Sequence, residues 1–392
     1  MIPRSALDTA LTLAQGFPIL ALTGPRQSGK TTLSRALFPS REYVSLENPE
    51  QRDFAASDPQ GFLTRFDNGA IIDEVQHCPD LFSYIQVLVD ERQRMGDFVL
   101  TGSQNFALLS RISQSLAGRV GLIQLLPFSA GELLNADLLP NSLDAVMFQG
   151  GYPPLYDRPL MPEIWFPNYV TTYLERDVRQ LLAVRDLTLF QRFLKLCAAR
   201  TGQLLNLSAL ANDCGISHVT AREWLSVLEA SYVLILLHPY HRNFGKRLVK
   251  RPKLYFLDTG LAAWLLGIRS PAMLNTHALR GSLFETLVVS EFVKRSFNSG
   301  QPADLYFWRD NTGHEVDLLF EQGDKLQAVE IKSGATFVPD WLKSARKWQS
   351  FAGDAALPPW IFYGGVDSYI REGSPVHGWK ELADLDRLFR QD

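Results

Sequence analysis

A run of residues near the start of the sequence has the composition of a phosphate-binding loop. The run fits the pattern G-x-x-x-x-G-K-[ST] at every fixed position. Glycines allow the backbone to curl until its N–H groups point at phosphate oxygens, and the positive N-terminal end of the next helix adds to the attraction. Lys30 would contact the β- and γ-phosphates, and Thr31 would place its hydroxyl on Mg²⁺, so the predicted ligands are ATP and Mg²⁺. The predicted ATP-binding residues are Gly24, Pro25, Arg26, Gln27, Ser28, Gly29, Lys30, Thr31 and Thr32.

Two carboxylates follow a second apolar run. Asp73 and Glu74 come directly after Ala70, Ile71 and Ile72. An apolar strand with this ending brings both acids to the C-terminal edge of a parallel sheet, where ligands bind. Asp73 would hold Mg²⁺ and Glu74 would polarise the attacking water. A switch that only binds nucleotide does not require Glu74, so the pair favours hydrolysis.

A third polar segment follows the apolar residues Val99 and Leu100. A polar side chain at the tip of this strand would lie between the two acids and the γ-phosphate. Ser103 is the predicted catalytic residue here, with Thr101 and Gln104 as alternatives. An ordinary strand-to-helix turn would contain similar residues. The catalytic interpretation of this segment therefore depends on the two motifs that precede it.

The elements that position these residues alternate between strands and helices. Apolar runs at 18–23, 69–72 and 98–101 predict strands, and residues 30–37 and 81–94 have helical spacing. This alternation predicts a parallel sheet covered by helices on both faces. From about Leu125 the pattern becomes helical, with a Gly/Pro run at 150–154 as a turn or hinge and one long helix predicted at 165–182.

Taken together, the motifs resemble the AAA+ ATPases of bacteria and archaea. More narrowly, they resemble a group with an uncharacterised C-terminal domain behind the ATPase. The resemblance implies a ring or a smaller homo-oligomer, in which arginines from a neighbouring subunit or from the lid stabilise charge on the γ-phosphate. Each candidate arginine is equally compatible with an ordinary surface ion pair; the candidates are Arg119, Arg176 and Arg179. The resemblance is carried by residues 22–33, 71–76, 100–104, 115–119 and 172–177.

Residues 207–225 form a helix-turn-helix pattern. Gly215 suits the tight turn and Ser217 can cap the second helix. That helix would expose His218, Thr220 and Arg222, and it would turn Val219 and Leu225 inward. Residues 233–239 and 253–257 then look like the two strands of a winged helix.

A basic cluster lies between those two strands and suits a nucleic-acid phosphate backbone. The alternatives are a winged helix that contacts protein and a solvated run of charge, since neither fold nor charge specifies a function. The predicted DNA-binding residues are Arg222, Arg242, Lys246, Arg247, Lys250 and Arg251.

A second set of acids lies in the last third of the chain. Glu285 falls in a helical stretch, Asp317 in an apolar strand, and Glu330 and Lys332 two apart on the next strand. This order resembles the PD-(D/E)xK nuclease-like fold. The three acids would hold Mg²⁺ beside a scissile phosphate, and Lys332 would position or activate the water. The alternative is a nuclease-like fold without cleavage, because short acidic patterns are common.

Bulk properties are those of a soluble globular chain. The 392 residues carry a net charge of −3, which excludes a uniformly basic coat but allows a local basic patch. The three cysteines have no metal-ligand or disulfide spacing. Neither a signal peptide nor a membrane-spanning stretch is apparent, so we expect a cytoplasmic protein without a membrane partner.

The predicted fold is α/β: an AAA+ core at 1–130, a helical lid at 131–190, a winged helix at 191–265 and an α/β restriction-endonuclease-like domain at 266–392. The predicted function is ATP hydrolysis coupled to action on DNA, and branched or structured DNA is expected by family analogy alone. One alternative is an ATP-controlled switch that binds a protein partner. The other is a Mg²⁺-dependent endonuclease licensed by ATP.

Overall fold

The structure is a computed structural model that describes residues 2–103, 115–174, 186–240 and 249–389. The chain divides into two compact units. The first consists of residues 1–128, 230–232 and 296–302, and the second of residues 129–229, 233–295 and 303–392. The ranges predicted as lid, winged helix and nuclease-like domain all fall mainly within the second unit, and their separation into three domains stays a prediction.

A parallel sheet with five described strands forms the centre of the first unit, in the order β2-β3-β4-β1-β5. The sequence predicted β1, β3 and β4, whose residues are all buried. It missed β2 and β5, whose partly exposed residues give a weaker apolar signal. The strands are β1 (Ile19–Thr23), β2 (Glu42–Ser45), β3 (Ala70–Asp73), β4 (Phe98–Gly102) and β5 (Val120–Gln124).

Helices cover both faces of this sheet, as predicted. On one face Leu22 and Ile71 pack with Leu33 of α2. On the other face Ile72 packs with Phe82 of α5. Ile71 and Ile72, which are neighbours on β3, therefore pack into hydrophobic cores on opposite faces of the sheet. This is the alternation expected of a strand buried on both sides. The helices are α1 (Leu7–Gly16), α2 (Lys30–Leu37), α3 (Pro49–Ser57), α4 (Pro59–Thr64) and α5 (Leu81–Arg92).

The second unit begins with short helices. They are α6 (Ala130–Asn135), α7 (Leu143–Gln149), α8 (Pro154–Asp157), α9 (Pro162–Tyr169), α10 (Leu187–Ala198), α11 (Leu207–Cys214) and α12 (His218–Ala230). The single helix expected from Trp165 onward is confirmed as helical over its described part, residues 165–174, although its hydrogen-bonding pattern changes on the way. The α-helical pattern ends at Tyr169 and continues as a π-helical turn, Val170–Leu174, while residues 175–182 lie outside the described residues.

The Gly/Pro run at the end of α7 is a turn fixed by buried contacts. Gly150 has φ +69°, and Gly151 N donates a hydrogen bond of 2.7 Å to Asp258 Oδ2. A Cβ added at Gly150 would lie 2.4 Å from Asp258 Oδ1. Asp258 is itself held by Leu261 N at 2.8 Å. The predicted turn is confirmed, and it lies inside the second unit rather than at its boundary with the first.

The predicted helix-turn-helix pattern matches α11 and α12. Gly215 ends α11 with φ +79°, and Ser217 Oγ accepts a hydrogen bond of 3.0 Å from Thr220 N. Leu225 faces inward as expected, but the inward placement predicted for Val219 is wrong, because that side chain is 61% exposed. Val219 occupies the first turn of α12.

The rest of the second unit is built on a sheet of nine strands in the part of the chain that the structure describes, in the order β13-β14-β12-β11-β10-β9-β7-β8-β6. The strands are β6 (Gln203–Leu204), β7 (Leu234–Pro239), β8 (Lys253–Phe256), β9 (Leu305–Arg309), β10 (Glu315–Gln322), β11 (Lys325–Lys332), β12 (Trp360–Tyr363), β13 (Tyr369–Arg371) and β14 (Ser374–Gly378). The accompanying helices are α13 (Thr259–Leu265), α14 (Pro271–Leu274), α15 (Arg280–Asn298), α16 (Lys343–Ala352) and α17 (Leu385–Phe389).

Strands β9, β10 and β11 are antiparallel neighbours, and β11 pairs in parallel with β12. Trp348 of α16 is fully buried in the core beside β10 and β11. Among the described helices, none has the length and apolar character needed to cross a membrane.

Candidate functional site

The glycines of the phosphate-binding loop occupy backbone positions that other residues disfavour. Gly24 follows β1 with φ +144°, and a Cβ there would lie 2.1 Å from the carbonyl oxygen of Leu125. Gly29 has φ +94° and caps α2. The loop therefore turns sharply between β1 and α2, so the N-terminal end of α2 faces the loop, as an anion site requires.

Lys30 begins α2 and is buried, with 6% exposure. Its Nζ donates hydrogen bonds to the carbonyl oxygens of Gly24 at 3.0 Å and Pro25 at 2.8 Å. Loop carbonyls thus hold the ammonium at the centre of the loop. When phosphate binds, charge-assisted contacts to its oxygens can replace these neutral partners.

Asp73 ends β3 and lies beside Thr31. Thr31 Oγ1 donates a hydrogen bond of 3.1 Å to Asp73 Oδ2, and Thr101 Oγ1 hydrogen-bonds to Asp73 Oδ1. A carboxylate and a hydroxyl in contact are hard oxygen ligands of the kind Mg²⁺ prefers. The two residues predicted to hold the metal at the ATP site are therefore adjacent, and their chemistry fits it.

Glu74 adopts a left-handed backbone conformation with φ +53°, which is uncommon for a residue other than glycine. Ser103 Oγ donates a hydrogen bond of 3.1 Å to Glu74 Oε2, and Gln76 Nε2 hydrogen-bonds to the same oxygen. Of the three polar residues predicted after β4, Ser103 contacts Glu74 and Thr101 contacts Asp73. Gln104 lies outside the described residues.

Tyr43 of β2 also contacts the site, and sequence reasoning missed it. Its hydroxyl donates a hydrogen bond of 2.6 Å to Asp73 Oδ2. Burial, followed by the Asp73 contact, raises the pKa of Tyr43 to about 12. The Arg35 guanidinium lies 3.8 Å above the ring centroid. No sequence signal marks Tyr43, because its strand is only half buried and was not predicted.

Arg4 is a second residue that the sequence did not reveal. Its guanidinium donates to the carbonyl oxygens of Ser28 at 2.7 Å and Leu126 at 2.6 Å. The same group lies 4.8 Å from the centroid of the Phe128 ring. Arg4 therefore joins the phosphate-binding loop to the segment that follows β5. These segments are far apart in sequence, so no local sequence pattern predicts the contact.

Of the three candidate arginines, Arg119 lies in the described part of the chain, and there its side chain pairs away from this site. Arg119 directly precedes β5, and β5 runs parallel to β1, so Arg119 lies at the sheet edge opposite the loop after β1. There it pairs with both carboxylate oxygens of Asp90, at 2.6 and 2.7 Å. Arg119 is thus a surface ion pair within its own subunit. Arg176 and Arg179 lie outside the described residues.

The predicted DNA-binding residues that the structure describes are exposed. Arg222 lies on α12, and Lys250 and Arg251 precede β8. Arg242, Lys246 and Arg247 lie outside the described residues. Exposure is compatible with a phosphate contact and with a solvated charge alike.

The predicted acids of the last third of the chain do come together. Glu285 lies on α15, Asp317 on β10, and Glu330 and Lys332 on β11. Lys332 Nζ is 3.1 Å from Asp317 Oδ2 and 2.7 Å from Glu330 Oε2. Asp317 Oδ2 also accepts a hydrogen bond of 2.9 Å from Ile331 N.

Two residues that sequence reasoning did not assign to this site complete the cluster. Glu315 joins Glu285 and Asp317, and each offers a carboxylate oxygen within 4.8 Å of the others. Lys253 Nζ pairs with Glu285 Oε1 at 2.8 Å, pairs with Glu315, and lies 4.0 Å from Asp317 Oδ1. We call Glu285, Glu315, Asp317, Glu330, Lys253 and Lys332 the ion cluster.

Charges within the ion cluster act in opposite directions on its acids. Burial acts to raise the pKa of Asp317, but Lys332 and Lys253 hold that pKa below its usual range. Burial, and then the charge of Asp317, raise the pKa of Glu330 to about 8. One acid of the cluster is therefore stabilised as an anion and another as a neutral carboxyl.

The chain matches three described families over successive segments. Residues 16–134 match a family described as AAA domain. Residues 140–272 and 280–378 match two domains of unknown function, DUF8612 and DUF4143. Uncharacterized protein Mb2031c of Mycobacterium bovis and uncharacterized protein Rv2008c of Mycobacterium tuberculosis are each 34% identical to the chain. Each identity extends over 323 residues, 81% of this chain and 71% of the relative.

Solved structures give weaker likenesses. The Walker-type ATPase PABY2304 of Pyrococcus abyssi aligns with a TM-score of 0.44 and 15% identity, covering 68% of this chain and 96% of that one. RuvB of Thermotoga maritima aligns with a TM-score of 0.30 and 19% identity, covering 58% and 86%. Family membership follows from the two mycobacterial relatives, which are similar in sequence over most of their length.

Proposed function

Because the chain belongs to the family of the mycobacterial proteins Mb2031c and Rv2008c and is an ATPase of the AAA class, we propose that it uses ATP hydrolysis to act on DNA. The observation that carries the ATPase part is the contact between Thr31 and Asp73, with Glu74 next in the chain. These residues join the phosphate-binding loop to the acids at the strand tips, which is the arrangement that phosphoryl transfer to water requires.

The roles of the residues follow from their positions. Lys30 neutralises charge on the β- and γ-phosphates, and Thr31 and Asp73 would hold Mg²⁺, which supplies further positive charge to the phosphates. Glu74 accepts a proton of the attacking water and so directs its lone pair to the γ-phosphorus. Ser103 donates to Glu74 and keeps the carboxylate oriented.

The DNA part of the proposal is supported by the second unit. Its helices α11 and α12 are joined by a tight turn at Gly215, and α12 exposes Arg222. Lys250 and Arg251 add exposed positive charge before β8. Basic side chains beside a helix-turn-helix pair suit contacts to a phosphate backbone. We extend the proposal to a homo-oligomer in which Arg119, Arg176 or Arg179 acts on a neighbouring subunit's nucleotide.

One rival function also has a specific observation in its favour. Val219 exposes an apolar side chain in the first turn of α12, next to His218. An exposed apolar residue at that position suits a protein partner better than a phosphate backbone. The rival is therefore an ATP-controlled switch that binds protein through the same helix.

The experiment is ATP hydrolysis by the purified chain, alone and with single-stranded, duplex and four-way branched DNA. We expect at least one DNA form to raise the rate, and Lys30→Ala to abolish hydrolysis with and without DNA. Arg222→Ala and the pair Lys250→Ala/Arg251→Ala should reduce the DNA effect and flatten its salt dependence, because each lost phosphate contact removes about 0.9 from the slope of log affinity against log salt.

The exposed pair Lys325→Ala/Lys380→Ala is the matched control and should leave the DNA effect unchanged. Stimulation that survives both basic-residue variants would place the DNA contact elsewhere. If no DNA form changes the rate of an active ATPase, the DNA part is wrong and the protein-binding switch becomes the better account.

A further inference from the structure

The Lys253 ammonium lies at the point where three carboxylates converge. Its Nζ is 2.8 Å from Glu285 Oε1 and 4.0 Å from Asp317 Oδ1, and it also pairs with Glu315. Within the residues that the structure describes, the oxygens of those three acids lie close enough together to share a single cation. A positive charge on this chain therefore already occupies the position that a bound cation would take.

Lys253 is held at its backbone by a strand on each side. It is the first residue of β8, and it pairs with Leu204 of β6 on one side and with Leu237 of β7 on the other. Its side chain is 3% exposed. The neighbouring β8 residue Tyr255 also hydrogen-bonds to Glu285, so two side chains of one strand hold the same carboxylate.

The charges of the ion cluster and its surroundings are nearly balanced without any added ion. Lys253 and Lys332 supply two positive charges, and Arg309 adds a third through its contact of 2.8 Å with Glu315 Oε2. Four carboxyl groups face these three positive charges, namely those of Glu285, Glu315, Asp317 and Glu330. A divalent ion would leave an excess of positive charge in a buried place, which is costly.

We propose that Lys253 is the resident cation of the ion cluster and that it closes the cluster to divalent metal. While Lys253 is in place, the second unit holds the residues of a nuclease-like site without the metal that cleavage would need. The proposal is independent of the ATP site and of the DNA part of the proposed function, since it concerns side chains of the second unit alone.

The test is a titration of the full chain with Mn²⁺, followed by the electron paramagnetic resonance signal of the free ion. Nucleotide is left out, and all variants carry Asp73→Asn so that the ATP site lacks its carboxylate. The chain with Lys253 intact should bind no Mn²⁺ at the ion cluster, so Glu285→Gln should change nothing. Lys253→Met should gain one Mn²⁺ site, because three acids then lack their partner. This site should bind Mn²⁺ at least about tenfold more tightly than any site of the chain with Lys253 intact. Adding Glu285→Gln should remove that gained site.

Lys294→Met is the matched control. Lys294 is also buried and pairs with an acid, Glu291 at 2.8 Å, but it lies outside the ion cluster. It should gain no Mn²⁺ site. Folding of each variant is checked by circular dichroism, and Lys253→Gln replaces Lys253→Met if the latter does not fold.

Two results would overturn the proposal. One is Mn²⁺ binding by the chain with Lys253 intact that Glu285→Gln abolishes, which requires no substitution at Lys253. The other is a folded Lys253 variant that gains no site. Neither result depends on ATP hydrolysis or on DNA, so failure here leaves the proposed function unaffected.

Discussion

The hydroxyl of Tyr43 and the hydroxyl of Thr31 donate to the same oxygen of Asp73, at 2.6 and 3.1 Å. A carboxylate oxygen at the end of β3 is therefore held by one side chain from β2 and one from α2. The arrangement fixes the direction of the carboxylate that would hold Mg²⁺. Tyr43 itself is held by Arg35, whose guanidinium lies over the ring.

The first prediction concerns this contact. Tyr43→Phe should raise the Mg²⁺ concentration needed for half-maximal ATP hydrolysis by about tenfold, because residues that orient a metal ligand contribute on this scale to metal affinity. The measurement is the hydrolysis rate as a function of free Mg²⁺ at saturating ATP. Tyr84→Phe, at an exposed tyrosine of the same unit, is the control and should leave the curve unchanged. An identical Mg²⁺ dependence in Tyr43→Phe would show that Asp73 is oriented without it.

A second prediction tests whether Arg4 supports the phosphate-binding loop. Arg4→Met keeps the apolar stem but loses both hydrogen bonds to backbone carbonyls, at Ser28 and Leu126. We expect ATP binding to weaken by about tenfold, equivalent to about 1.4 kcal/mol, with a smaller effect on the rate at saturating ATP. Equilibrium binding of ATP measures the effect, and Arg158→Met at an exposed arginine serves as the control. Unchanged ATP affinity in a folded Arg4→Met protein would contradict the supporting role.

A third prediction concerns the turn at Gly150. Gly150→Ala should lower the free energy of unfolding by about 3 kcal/mol, because left-handed backbone strain adds to a clash with Asp258. Gly267 has a similar φ of +81° with nothing within 4 Å of an added Cβ, so Gly267→Ala should cost only about 1 kcal/mol. Urea unfolding measures both. Equal losses in the two variants would mean that Asp258 moves aside without cost.

The fourth prediction is a pH dependence of the second unit. Burial, with a smaller contribution from Arg387, lowers the pKa of His377 to about 4 despite the opposing charge of Glu381. The folded state therefore keeps this imidazole neutral. Its contribution to stability is complete above the unfolded pKa, near 6.5, and is lost progressively as the pH falls from there to about 4.

The size of this effect is at most about 3.5 kcal/mol, since a unit of pKa corresponds to about 1.4 kcal/mol. His377→Gln should flatten the change of the urea midpoint between pH 6.5 and pH 4. The measurement is urea unfolding of both proteins at several pH values in that window. A pH dependence that is the same with and without His377 would rule out this group as its source.

The sequence was most informative where the chemistry is contiguous. The phosphate-binding loop lies within one short run, and its strand and helix follow from the apolar pattern, so the positions of Lys30 and Thr31 were predictable. Asp73 and Glu74 were also predictable, because parallel strands end at the same edge of the sheet.

The residues that escaped prediction depend on contacts between distant parts of the chain. Tyr43, Arg4 and Lys253 carry no motif, and each reaches its site only because strands or loops far apart in sequence are neighbours in the fold. Arg119 belongs to a run that resembles the family, yet it lies at the far edge of the sheet from Lys30 of its own subunit, so its proposed role on a neighbouring subunit stays a prediction.

The central claim is that the chain hydrolyses ATP with Glu74 as the base that activates water. Phosphate release by the Glu74→Gln protein tests it most directly. The unaltered chain should hydrolyse ATP. Glu74→Gln should retain ATP binding and lose at least about 100-fold in rate, because general base catalysis contributes on that scale. Glu91→Gln, at an exposed acid on α5, should behave like the unaltered chain. A Glu74→Gln protein that hydrolyses ATP at the normal rate, or an unaltered chain that binds ATP without hydrolysing it, would contradict the claim.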